Sequence, residues 1–185
     1  MEIKNLTKAF GEKIIFRDLN LSIPINKKSF IIGESGCGKT TLLRIIAGLD
    51  AKFTGEIIKD SDFISYVFQE PRLFPAITVR QNIEIVEKGT NLKLEEILEI
   101  VELSNEIDAY PEALSGGMKM RVALARALYH NGDVFLMDEP FSALDENMRA
   151  RIIPKIFELL KDKTILIVSH DIEETKKYAD NIITL

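Results

Sequence analysis

The octapeptide Gly33-Glu34-Ser35-Gly36-Cys37-Gly38-Lys39-Thr40 constrains this chain more than any other stretch. It fits the pattern G-x-x-x-x-G-K-[ST]. It follows a short apolar run at 29–32 and opens onto Leu42, Leu43, Ile45, Ile46 and Leu49 at helical spacing. A strand, a glycine-rich turn and a helix in that order form the opening unit of an α/β domain. Glycines in the turn let successive backbone N–H groups point inward around the β- and γ-phosphates of a nucleotide, and the helix N-terminus adds partial positive charge. Lys39 supplies a full positive charge, and the Thr40 hydroxyl is placed to reach Mg²⁺. Glu34, Ser35 and Cys37 fill the loop and Thr41 leads it into the helix; Cys37 reads as a small loop residue, not as a nucleophile.

The rest of the chain supports the α/β reading. Apolar runs at 133–137, 164–168 and 181–185 read as strands, and apolar stripes at 118–129 and 148–160 read as helices. Such alternation predicts a parallel sheet covered by helices. Further strands are expected at 2–7, 13–16, 19–23 and 63–68. Between 71 and 114 a Pro-punctuated loop precedes one apolar stripe, Leu94, Ile97, Leu98 and Val101, with no strong strand signal. That stretch reads as a helical lobe. One domain over 1–185 is expected, with its α/β core at 1–70 and 126–185 and the lobe at 71–125. Pro154 lies within the pattern Ile152, Ile153, Ile156, Phe157 and Leu160, where it predicts a kink or the true start of the helix.

Composition excludes several classes. A chain of 185 residues can bury about 70% of its unfolded surface and needs no covalent staples. Its single cysteine allows neither an internal disulfide nor a zinc cluster, which points to a reducing compartment. The N-terminal residues lack the pattern of a signal peptide, and no apolar run approaches the ~20 residues that cross a bilayer. Any membrane contact is therefore expected through a partner. A net charge of -5 argues against a general nucleic-acid binder.

Val134-Phe135-Leu136-Met137-Asp138-Glu139 delivers two adjacent acids at the end of an apolar strand, where open α/β sheets bind ligands. Asp138 is placed to hold Mg²⁺ through water, and Glu139 to polarise a water attacking the γ-phosphate. Two acids at the start of a solvated loop are the plainer alternative.

Leu114-Ser115-Gly116-Gly117-Met118 then resembles the LSGGQ signature of ABC ATPases, and a helix with Arg121, Ala125 and Arg126 follows it as in that family. The resemblance covers nearly the whole chain. It implies a RecA-like P-loop NTPase core with a parallel sheet, an N-terminal antiparallel β subdomain and an inserted α-helical lobe. It also implies ATP hydrolysis with Mg²⁺ in a head-to-tail homodimer, or a pair with a related ABC subunit, in which each signature caps the γ-phosphate held by the other copy. Met118 stands where the common form has Gln; the serine hydroxyl and glycine N–H groups do the phosphate work, so tolerance is expected.

Four further assignments come from the same resemblance. Phe10 matches the aromatic that stacks on adenine. Gln69 matches the glutamine that touches Mg²⁺ and the attacking water. Ser142-Ala143-Leu144-Asp145 matches the loop that reaches across the dimer, and His170 the histidine that contacts the γ-phosphate. Taken alone, these would read as a core aromatic, a polar loop residue, a helix cap with an acid three residues on, and a surface histidine.

The family partners would be integral membrane permease subunits and, for importers, a solute-binding protein, which places the chain on the cytoplasmic face of the membrane. Tyr66-Val67-Phe68-Gln69-Glu70-Pro71-Arg72-Leu73-Phe74-Pro75 looks most like importers of the nitrate, sulfonate and taurine group. Soluble ABC ATPases of DNA repair or cofactor assembly are the alternative. About 75 residues separate cradle from signature without sustained heptads, which disfavours the repair branch and leaves assembly ATPases open. A module that binds nucleotide without hydrolysing it is disfavoured by Glu139. Relatives usually extend further, so the stop at Leu185 implies a short form lacking a C-terminal regulatory domain.

Overall fold

The structure, a computed structural model, describes residues 1–185 apart from the side chain of Ile172. The first half contains strands β1 (Glu2–Phe10), β2 (Lys13–Ser22) and β3 (Lys28–Ile32), helix α1 (Lys39–Ile46), strands β4 (Thr54–Ile58) and β5 (Ile64–Val67), and helices α2 (Val79–Glu84) and α3 (Leu94–Ile100). The second half alternates: α4 (Gly116–His130), β6 (Val134–Asp138), α5 (Glu146–Leu159), β7 (Thr164–Val168), α6 (Ile172–Tyr178) and β8 (Asn181–Thr184).

A five-stranded parallel sheet runs in the order β5-β6-β7-β3-β8, and a three-stranded antiparallel sheet in the order β2-β1-β4. Every residue of β6 and β7 is buried. This explains why both read as unbroken apolar runs: alternate side chains serve opposite faces. Phe135, Met137, Ile165 and Ile167 pack with the apolar faces of α4 and α5. Val134, Leu136, Leu166 and Val168 pack with α1 and with Ile3, Leu6, Phe16 and Ile23 of the antiparallel sheet and its exit. Each such fully buried side chain contributes roughly 1.5–3 kcal/mol.

Three expectations need correction. The strands expected at 13–16 and 19–23 are one, β2, because the polar interruption is absorbed as a bulge: Asp18 takes φ 49° and its N–H donates to Thr7 Oγ1 at 2.9 Å instead of to the ladder. Helix α5 starts at Glu146, capped by Asp145, whose carboxylate accepts from Met148 N at 2.9 Å. Ser142 is therefore not the cap, and Pro154 marks no start. The proline lies on the exposed face with Ala150, so the carbonyl it leaves without a helical donor faces water and the helix continues.

Three elements escaped the sequence reading. β4 is mostly exposed and carries Gly55 where a Cβ would stand 2.5 Å from the Asn5 carbonyl, so close pairing with β1 replaces an apolar pattern. α2 and α6 are each under two turns long, too short for periodicity to show. They are fixed by caps, the Thr78–Gln81 capping box and the Asp171 carboxylate.

Candidate nucleotide site

Because β3, β5, β6 and β7 are parallel, their C-terminal ends emerge along one edge of the sheet. That edge gathers the 33–40 loop after β3, Gln69 after β5, Asp138 and Glu139 at the end of β6, and His170 after β7. β7 lies between β3 and β6, so the two acids stand two strands away from the phosphate loop, with Asp138 opposite Val168 and Val168 opposite Ile31.

Two glycines of the loop are required by contact. A Cβ on Gly38, at φ 110°, would lie 2.5 Å from Ile15 Cγ2 and 2.7 Å from the Phe16 ring. One on Gly33 would lie 2.7 Å from the Leu185 carbonyl. Gly36 meets nothing within 4 Å. The loop is thus wedged between β2 and the end of β8. Lys39 is buried and donates to the Gly33 and Glu34 carbonyls, both at 2.8 Å, which folds its ammonium into the concavity of its own loop. Glu34, Ser35 and Gly36 form the exposed crest, with Cys37 half-buried beneath and Thr41 half-buried in the first turn of α1.

Thr40, Gln69 and Asp138 line a single cavity of about 200 Å³ together with Arg44, Tyr66 and Arg72. Asp138 is 2% exposed and its Oδ1 has no hydrogen-bond partner. Burial holds its carboxyl above the usual range, against the pull of Thr40, while Glu139 adds to the rise and Lys39 and His170 oppose it. A buried carboxylate oxygen without a partner, beside a hydroxyl and an amide, is a donor set suited to Mg²⁺. That ion takes one or two carboxylates, keeps water, and completes its shell with phosphate oxygens. Among the described residues no group of three or more His, Cys, Asp or Glu could hold a metal ion by itself.

Glu139 adopts φ 50°, a left-handed conformation that costs a glutamate on the order of 1–2 kcal/mol. Its N–H is held by the Val168 carbonyl at 3.0 Å, and its own carbonyl accepts from the Ser142 hydroxyl at 2.9 Å. This turn aims the carboxylate at His170, whose Nε2 lies 2.9 Å from Oε1. Both side chains border a cavity of about 290 Å³ that also meets Ser142, Arg149, Ser169, Asp171 and Glu174.

Phe10 is 53% exposed at the end of β1, on the hairpin that presses Ile15 and Phe16 against Gly38. The Lys8 ammonium lies 4.5 Å from its ring centroid, anchored by Asp50 at 2.7 Å. Phe10 thus presents a face to solvent beside the phosphate loop and is not a core residue.

The signature lines neither of these two cavities. Leu114 is buried, whereas Ser115 and Gly116 are exposed at the N-terminus of α4, and the Ser115 hydroxyl accepts from Met118 N at 3.2 Å. Met118 packs its side chain against the core beside α4. Gly117 is the tight position, since a Cβ there would meet the Ala143 carbonyl at 2.8 Å. The signature therefore abuts the Ser142–Ala143–Leu144–Asp145 loop of the same chain, in which Leu144 is buried and the other three are exposed. None of Leu114, Ser115, Gly116, Gly117 or Met118 lines the cavities that hold Thr40, Asp138 or Glu139.

Sequence reasoning named Arg126 only as part of the helix after the signature, without its contacts, and missed Asn82, Arg149, Asp171 and Glu174. Arg126 donates to the Pro71 and Arg72 carbonyls at 2.9 and 3.2 Å, and buried Asn82 spans Phe74, Ile77 and Thr78, so α4 and α2 together fix the segment after Gln69. Arg149, Asp171 and Glu174 surround the turn that carries His170. Their partners are distant in sequence and no local pattern marks them.

A nucleotide phosphate loop, a buried carboxylate for a hard cation and a Glu–His pair on one edge of a parallel sheet define a P-loop nucleoside triphosphatase site. The chain belongs to the ABC transporter family, whose profile matches residues 16–142. Over its whole length it is 40% identical to the aliphatic sulfonates import ATP-binding protein SsuB 2 of Pseudomonas syringae pv. tomato, covering 82% of that protein. It is 39% identical to the Fe(3+) ions import ATP-binding protein FbpC of Haemophilus influenzae, covering 58% of it. Among solved structures, a dimeric ATP-binding cassette in a post-hydrolysis state bound to ADP and Pi superposes with TM-score 0.83 at 32% identity. That match covers all of this chain and 93% of the cassette.

Proposed function

We propose that this chain is the ATP-binding and ATP-hydrolysing subunit of an ABC importer, acting as a head-to-tail pair with ATP between the phosphate loop of one copy and the signature of the other. The observation that carries this reading is the separation of the two anion sites. Ser115 and Gly116 offer exposed donors at a helix N-terminus and line neither the cavity of their own Thr40 nor that of their own Glu139. Within one chain that second site has nothing to hold; from a second copy it completes the first.

In this reading Gly33 to Thr41 and Lys39 bind the phosphates, and Phe10 stacks on adenine, a contact worth ~1–3 kcal/mol. Asp138, Thr40 and Gln69 would hold Mg²⁺, which when bound neutralises charge on the phosphates. Glu139 accepts the proton of the attacking water, and His170 fixes the orientation of that carboxylate and reaches toward the γ-phosphate. Met118 leaves the donors of Ser115, Gly116 and Gly117 in place. Ser142, Ala143 and Asp145 face the partner copy, while Leu144 anchors their loop.

No helix among the described residues is long and apolar enough to cross a membrane, so transport requires permease subunits that hold this one at the cytoplasmic face. The segment 71–125 acts as the lobe that meets them, through exposed Arg72 and Phe74. Relatives named for aliphatic sulfonates and for Fe(3+) ions match at nearly equal identity. Cargo choice therefore belongs to the permease and a solute-binding protein. The import names of these relatives favour transport over a soluble assembly ATPase.

The test is size-exclusion chromatography with light scattering on Glu139→Gln, with and without MgATP. Conversion of monomer to dimer by MgATP is the expected outcome, with steady-state hydrolysis down by ~100-fold or more. A variant that binds MgATP yet stays monomeric would overturn the paired site.

A further inference from the structure

Helix α5 places Arg149 one turn after the Ser142–Asp145 loop, and its guanidinium makes two contacts of different kinds. Nε donates to the Leu144 carbonyl at 3.0 Å, and one terminal nitrogen pairs with Asp171 Oδ2 at 2.7 Å. Asp171 directly follows His170. Its other oxygen caps α6 through Glu174 N at 2.9 Å, and its own N–H donates to the Ser169 hydroxyl at 3.1 Å. His170 in turn lies 2.9 Å from Glu139, whose carbonyl is held by Ser142.

These contacts close a ring. It runs from Glu139 to Ser142, along the loop to Leu144, through Arg149 to Asp171, and back through His170 to Glu139. The ring encloses the cavity of about 290 Å³ described above. Among the described residues, the Arg149 side chain joins the two halves of the ring by hydrogen bonds on the side away from the Glu139–His170 contact. Its planar fork fixes both distance and angle, which a lysine ammonium does not.

We infer that Arg149 is a positioning residue for hydrolysis, setting where His170 stands over Glu139 according to the position of the Ser142–Asp145 loop. The inference rests on the roles given above to Glu139 and His170. The polar contacts of Arg149 are to Leu144 and Asp171, with none to the phosphate loop or Glu139 among the described residues, so its effect falls on turnover and not on nucleotide affinity. Because Ser142, Ala143 and Asp145 are exposed and assigned to the partner copy, the same side chain passes the position of that copy to the Glu139–His170 pair.

The experiment compares kcat for ATP hydrolysis, equilibrium ATP binding and thermal melting in wild type, Arg149→Ala, Arg149→Lys, Asp171→Asn and the double variant Arg149→Ala/Asp171→Asn. Asparagine caps a helix about as well as aspartate, so Asp171→Asn removes the ion pair while keeping α6. Misplacing a reacting group by about 1 Å costs up to ~100-fold. Arg149→Ala is expected to lower kcat roughly 10- to 100-fold with ATP affinity and melting near wild type. Arg149→Lys should fall between, and the double variant should be no slower than the slower single.

Unchanged kcat in Arg149→Ala would overturn the inference. So would additive losses in the double variant, or losses that track melting and ATP affinity. If Arg149→Ala does not fold, an Arg149→Lys that folds with wild-type kcat overturns it equally. Glu139→Gln and His170→Ala run alongside: if both hydrolyse at wild-type rates, the site assignment itself fails and the positioning role with it. If both are impaired while Arg149→Ala is not, only the positioning role fails.

Discussion

At the scale of single residues, contact separates glycines that a motif treats alike. At Gly38 a methyl would collide with Ile15 and Phe16, whereas at Gly36, φ 80°, nothing stands in the way. Gly38→Ala should therefore distort the cradle and weaken MgATP binding at least about tenfold, with ~1–3 kcal/mol lost in stability. Gly36→Ala should cost only the roughly 1–2 kcal/mol of a left-handed alanine; nucleotide titration and chemical denaturation of both variants check this. Glu174 offers a pH signature. Burial first, and then the charge of Asp171, lifts its carboxyl from 4.5 to about 7, against the pull of Arg149 and the Ser169 hydroxyl. The folded chain thus holds this proton after the unfolded chain has released it. The contribution to stability is unpenalised below pH 4.5, declines as pH rises from there to about 7, and is fully lost above, a change on the order of 3 kcal/mol. Glu174→Gln should flatten that decline in denaturation measured from pH 4.5 to 7.5. The sequence exposed Lys39, Thr40, Asp138 and Glu139 because each sits in a local pattern. It did not expose Arg149 or Asp171, which lie 22 positions apart and acquire meaning only when α5 and the turn after β7 meet.

Elements were legible in proportion to their burial and length. β6 and β7 are apolar at every position because both faces are covered, and α4 carries its stripe over 15 residues. β4, exposed on an edge, and α2 and α6, each under two turns, left no periodicity to read. α5 shows how a local rule is met by its surroundings. Proline inside a helix removes a hydrogen bond, and here the loss is turned to solvent, where water satisfies the free carbonyl. Pro154→Ala should restore that bond and stabilise the protein by ~1–3 kcal/mol in chemical denaturation, leaving ATP hydrolysis unchanged, because Pro154 is exposed and lines neither cavity of the site. Asp145→Ala should do the reverse at the other end of α5, costing about 1 kcal/mol for the lost cap.

At the scale of the whole molecule, the sheet edge and the lobe meet at the segment after Gln69. Arg126 of α4 holds the Pro71 and Arg72 carbonyls, and the Arg72 guanidinium lies 4.1 Å from the centroid of the Phe68 ring. Any shift of α4 is thereby felt next to the cavity of Asp138 and Thr40. Phe74 lies outside the cavity of Thr40, Gln69 and Asp138, and Phe74→Ala is expected to retain ATP hydrolysis in the isolated subunit and to lose ATP-driven uptake in the assembled transporter; intact uptake would place the coupling surface elsewhere. The sequence by itself determined the class of fold, the phosphate loop, the paired acids and the signature, because each is written in neighbouring residues whose spacing the backbone converts directly into geometry. Only the tertiary structure decided which of these share a site. The parallel order β5-β6-β7-β3-β8 brings Gln69, Asp138, Glu139 and His170 to one edge. Where α4 packs against the Ser142–Asp145 loop, Ser115 and Gly116 stay exposed and line neither cavity of that edge. Strand order and helix packing depend on contacts between residues tens of positions apart, and one side chain's local neighbours carry no record of them.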